Sequence, residues 1–113
     1  MTASFTPTRP ITARIERHVE VRLKDIGADH HFISTRSETI NVSEYGLLME
    51  VPTTLDACVK QEVVASLHWD GGEFESLGEI VRFEGPYWRD PTKSVMAVRL
   101  KEPLPHELLT PAP

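Results

Sequence analysis

One cysteine, Cys58, stands in the 113 residues. It excludes an intramolecular disulfide and any zinc site built on paired thiolates. Long apolar runs are missing as well. Nothing approaches the roughly 20 consecutive apolar residues that a membrane-spanning helix needs, and residues 1–10 carry no apolar core of the secretory-signal kind. The expectation is a chain without membrane insertion, in a cytoplasm of bacterial type. Helical periodicity is equally scarce: no amphipathic stretch reaches three turns, which argues against an open, helix-covered nucleotide-binding sheet. No Ser/His/Asp order, paired carboxylate set or phosphate loop stands out, so an enzyme is not expected. Positive charge is in short supply, with 12 Lys and Arg against 17 Asp and Glu and a net charge of −5. That balance argues against a general DNA or RNA binder.

What the chain does have is alternation. Its length suits one domain with one hydrophobic core. Val19, Val21 and Leu23 alternate with charged residues, the pattern of a half-buried strand. A second strand is expected over 31–42, with a bulge or break near Thr35 to Ser37 because its pattern is imperfect there. A third runs over 46–51 and is closed by Pro52. In 59–69, Val63, Ala65, Leu67 and Trp69 share a face, and Asp70-Gly71-Gly72 then supplies positive-φ residues for a hairpin. The partner strand spans 73–83, with Gly78 marking a bend. After a loop from Gly85 to Pro91, Met96, Val98 and Leu100 alternate in a last strand. Leu55 to Lys60 has room for a turn of helix and no more, and His106 to Leu109 for one further helical turn. The class is all-β, an antiparallel sandwich or small barrel. The proline-bearing ends, 1–13 and 103–113, are expected to be extended segments outside it.

Two short polar segments carry candidate chemistry. In Asn41-Val42-Ser43-Glu44-Tyr45-Gly46, an amide, a hydroxyl and a glycine sit between two strands. Asn41 can donate and accept toward a base edge, Ser43 can serve a phosphate, and Gly46 frees the backbone for positive φ. An ordinary strand-to-strand turn would look the same. Upstream, Arg14-Ile15-Glu16-Arg17-His18 precedes the first strand. Arginine forks on such an arm can clamp phosphates or bond O6 and N7 of guanine, though a charged linker reads alike. Charge is unevenly placed: residues 1–36 hold six basic groups against four acidic ones, and the remainder six against thirteen. A basic arm on an acidic body suits a compact anion, because screening over about 8 Å mutes the distant repulsion.

Together the two segments resemble the PilZ family, which joins an Arg-x-x-x-Arg arm to an [Asp/Asn]-x-Ser-x-x-Gly turn. The turn matches at Asn41, Ser43 and Gly46. The strands Gly46-Leu47-Leu48-Met49-Glu50-Val51 and Gly78-Glu79-Ile80-Val81-Arg82-Phe83 are similar too, as is Val95-Met96-Ala97-Val98-Arg99-Leu100. The likeness covers roughly residues 14–101. In the arm, Arg14 takes the first arginine's place, His18 the second, and Arg17 lies one position away. The resemblance implies a six-stranded antiparallel barrel over 19–102 with its arm at 14–18. It also implies binding of cyclic di-GMP by Arg14, Arg17, His18, Asn41, Ser43 and Gly46, without a metal, and an altered contact with an effector protein as output. Some members of the family are adaptors that bind no nucleotide and act through protein partners alone, and this remains the alternative.

Other features draw blander readings. His30-His31 point to opposite faces if extended, with no third metal ligand nearby. Tyr87 and Trp88, before Arg89, form a stacking platform or a packing cluster. Arg82 and Arg99 read as outward surface charges, and Cys58 as a small packing residue.

Overall fold

A computed structural model describes residues 14–27, 34–55, 57–84 and 91–110. Seven strands follow one another: β1 (Ile15–Glu16), β2 (Glu20–Asp25), β3 (Ser34–Ser43), β4 (Gly46–Pro52), β5 (Glu62–Trp69), β6 (Gly72–Glu84) and β7 (Lys93–Leu100). A 3-10 helix, His106–Leu109, comes last. Strands pair antiparallel in the order β3-β2-β5-β6-β7-β4, and β4 pairs back onto β3. The six-stranded barrel is thereby closed, and β1 lies outside it against β3. Closure leaves none of the six with an unpaired edge to template aggregation.

The period of two explains the interior. Val21 and Leu23 of β2, Leu47, Met49 and Val51 of β4, Val63, Ala65 and Leu67 of β5, and Met96, Val98 and Leu100 of β7 are all buried in one cluster. Each large aliphatic side chain so buried contributes about 1.5–3 kcal/mol. In β2, β5 and β7 the alternation expected from the sequence is the alternation of the core, and β4 follows the same rule.

β3 departs from that regularity, and its departure sets up the outer surface. Residues 34–38 pair with β2, whereas Asn41 and Val42 pair with β1 on the same side. On the other side Thr39 faces Met49 and Asn41 faces Leu48, so Ile40 is an extra residue, a β-bulge. An inserted residue reverses which side chains point inward. Thr39 is buried before the bulge and Val42 after it, which turns Asn41 and Ser43 outward. The break expected near Thr35 to Ser37 therefore falls at Ile40. Thr39 fastens the gap between β1 and β2. Its hydroxyl accepts from the Val19 amide at 3.0 Å and donates to the Arg17 carbonyl, and its own amide donates to the Val19 carbonyl at 3.0 Å.

The structure corrects several other expectations. β6 carries a register shift at Val81, between Ile80 and Arg82, and its pairing passes from β5 to β7 at Gly78 and Glu79. In the β5–β6 turn only Gly72 takes a positive φ, 154°. Leu55 to Lys60 is not helical among its described residues. Lys60 turns left-handed at φ 76°, and the Gln61 side-chain oxygen takes the Cys58 amide at 3.0 Å, which closes a turn instead. Cys58 is exposed and not packed inward. The helical turn at His106–Leu109 is present, but the segment carrying it is no free tail: Leu104 and Leu108 are buried with the core. Hydrogen bonds lead this segment across one barrel end, from Lys101 to the Leu77 carbonyl and from Leu104 to the Glu44 carbonyl, both at 2.8 Å. His30 and His31, and Tyr87, Trp88 and Arg89, lie outside the described residues.

Because the Thr39 hydroxyl serves two backbone groups at a buried site, Thr39→Val strands the Val19 amide. The expected loss is about 1–3 kcal/mol. Urea unfolding checks it as a lower midpoint with an unchanged slope.

Candidate functional site

The bulge at Ile40 places Asn41 and Ser43 on the barrel's outer wall, next to the two-residue turn Glu44-Tyr45 that leads into β4. A register row then runs from Ser43 through Gly46 of β4 and Arg99 of β7 to Glu79 of β6. The neighbouring row runs through Asn41, Leu48, Ala97 and Arg82. Gly46 and Ala97 are small, so the wall is hollowed where they meet. A cavity of about 270 Å³ opens there, lined by Arg14, Ser43, Tyr45, Gly46, Val81, Ala97 and Arg99 together with the backbone neighbours Leu47 and Val98. Its size falls near the lower limit of small-molecule sites, which run to about 300–1,000 Å³. The second bulge, at Val81, forms the opposite rim and leaves that side chain exposed.

Gly46 leaves space beside Ser43. Its φ is not positive, contrary to the expectation from the sequence. A Cβ at this position would stand 3.0 Å from the Ser43 hydroxyl oxygen, closer than ordinary contact allows, and would fill the hollow.

The predicted site residues divide into two sets. Arg14, Ser43 and Gly46 line the cavity. Asn41 is tied to them, since its side-chain oxygen accepts from Arg14 Nη1 at 2.9 Å. Arg17 and His18 are turned elsewhere. Arg17 donates through Nε to the Leu108 carbonyl at 3.3 Å and through Nη2 to the Glu107 carbonyl. A guanidinium at the end of a short helix satisfies carbonyls that the helix itself leaves open. The same helix is held from its other flank by Trp69, whose Nε1 donates to Glu107 Oε2 at 2.9 Å.

His18 sits between two acceptors, Glu16 Oε2 at 3.1 Å from Nε2 and the Thr39 carbonyl at 3.0 Å from Nδ1. A neutral imidazole has one N–H and cannot donate to both, whereas the imidazolium can. The Glu16 hydrogen bond, chiefly, raises the His18 pKa above 6.5; burial opposes it as the next effect in size, and the Thr39 carbonyl and the charges of Glu16 and Glu38 add to the rise. The added positive charge is spent on Glu16 and not on the cavity.

Tyr45, Val81, Ala97 and Arg99 also line the cavity, and no local pattern marks them as site residues. Arg99 was read as surface charge, and its exposure alone supports that. Its role as a lining residue follows from the pairing of β7 with β4 opposite Gly46, a long-range fact that no local pattern announces. Among the described residues, Arg14 and Arg99 are the charged side chains of the cavity, and both are cationic. No group of three His, Cys, Asp or Glu side chains suited to a metal occurs among the described residues, nor is any described helix long and apolar enough to cross a membrane. Comparison with known proteins finds no matching family model, no matching curated protein and no matching solved structure.

Raised in the folded state, the His18 pKa contributes stability that is complete below about 6.5, the unfolded value, and fades as pH rises through the folded value. An NMR titration of the imidazole is expected to give a midpoint above 6.5 that falls toward it in Glu16→Gln.

Proposed function

We propose that this chain is a PilZ-like receptor for cyclic di-GMP, a bacterial cytoplasmic binding module and not an enzyme. One observation carries the reading: the arm residue Arg14 and the turn residues Ser43 and Gly46 line a single cavity whose charged members are both arginines. Guanidinium forks match phosphodiester oxygens and the O6/N7 edge of guanine. The Ser43 hydroxyl adds a neutral contact, and Asn41 holds Arg14 in reach at 2.9 Å. The Tyr45 ring at the rim, 44% exposed, offers a face on which a base can stack. An anion is favoured here although the chain is acidic, since carboxylates beyond about 8 Å are largely screened.

Output to an effector protein has a route through the same turn. The Glu44 and Tyr45 carbonyls accept from Leu104 at 2.8 Å and Leu100 at 2.7 Å. A ligand that shifts the turn thus acts on the segment that caps the barrel and carries Leu104 and Leu108.

The second reading, an adaptor that binds no nucleotide and works only through protein partners, draws on Arg17 and His18. Both are engaged away from the cavity, one on the 3-10 helix and one on Glu16. Isothermal titration with cyclic di-GMP separates the readings. A receptor shows saturable heat, weakened about ten- to hundredfold by Arg14→Ala, the value of one charged contact, and about two- to tenfold by Ser43→Ala. Absence of heat from the wild-type chain favours the adaptor, and affinity unmoved by either substitution refutes this site.

A further inference from the structure

We infer that Arg99 is a second phosphate-holding guanidinium of this site, beside Arg14. The inference rests on the receptor reading above. It begins from the register: Arg99 is the direct cross-strand neighbour of Gly46, and Gly46 is the direct neighbour of Ser43. With only the glycine between them in the register row, Ser43 and Arg99 line the same hollow. Arg14 enters it from β1's leading end, so two cations and a hydroxyl surround one cavity, with no carboxylate among its described lining residues.

Arg99 is also poised for exchange. Its Nη2 donates to Glu79 Oε1 at 2.9 Å, and its side chain remains 67% exposed. The Glu79 contact orients the fork while engaging one of five N–H donors. An exposed pair of this kind contributes little stability, so a phosphodiester can share or replace Glu79 at small cost. Arg17, by contrast, is committed to two main-chain carbonyls of the 3-10 helix, and recruiting it would unfasten that helix.

Arg99 further stands between two hollows. A larger cavity of about 400 Å³ lies on its other side, with Glu62, Glu79, Leu77 and Lys101 in its lining. Arg99 thus lines both hollows, and its guanidinium is open to a ligand seated in the smaller one.

Titration of wild type, Arg99→Ala, Arg99→Lys and Arg17→Ala with cyclic di-GMP tests this, with a thermal melt of each to confirm folding. Arg99→Ala is expected to weaken binding about ten- to hundredfold. Arg99→Lys keeps the charge but not the fork and should fall between it and wild type. Arg17→Ala should keep affinity within threefold while lowering the melting temperature. Wild-type binding with a loss under tenfold in Arg99→Ala overturns the assignment and leaves the receptor reading standing, as does a loss in Arg17→Ala equal to that of Arg99→Ala. Failure of the wild-type chain to bind overturns both.

Discussion

The architecture turns on how β3 serves three partners at once. Ten residues pair with β2 near one end and β1 near the other along one edge, and with β4 along the opposite edge. A regular strand cannot meet all of these and keep its inward face apolar, because Asn41 and Ser43 share their phase with Thr35, Ser37 and Thr39. The additional residue at Ile40 resolves the conflict. It buries Val42, expels Asn41 and Ser43, and lets β4 close the barrel. Thr39 makes the phase change affordable by satisfying the amide and carbonyl groups exposed where β1 gives way to β2.

From that change of phase the groove follows. Its floor is low because Gly46 and Ala97 are small, one rim is raised by the bulge in β3 and the other by Val81 in β6. Bulges commonly border functional surfaces because they re-aim side chains without dismantling the sheet. Here two of them flank a hollow whose charges are both positive on a chain of net charge −5. Local sign outweighs net charge at such a site, since screening confines each carboxylate's field to its own neighbourhood.

The C-terminal segment joins the barrel to its arm. Leu104 and Leu108 complete the core, while Arg17 and Trp69 grip the 3-10 helix from two sides. The segment also bonds to the turn beside the groove. Arm, turn and cap are therefore joined by hydrogen bonds and shared packing.

Strand positions were legible in the sequence wherever burial alternates cleanly, as in Val21 and Leu23, Val63 to Leu67, and Met96 to Leu100, because a period of two is a local property of the backbone. The turn residues Asn41, Ser43 and Gly46 were legible by type, though the reason for Gly46 was misjudged: space beside Ser43 and not a positive φ. Arg17 turns to the 3-10 helix, while Arg99, an exposed charge as expected, also lines the cavity. Which guanidinium faces the cavity depends on pairings between residues far apart in the chain, β7 against β4 and the 3-10 helix against the arm, and these arise only when the barrel closes. By itself, then, the sequence determined which segments extend and which polar side chains stand beside the β3–β4 turn. Tertiary structure decided the phase of β3 and the partners of Arg14, Arg17 and Arg99, since strand pairing and the docking of the 3-10 helix bring together groups far apart in the chain.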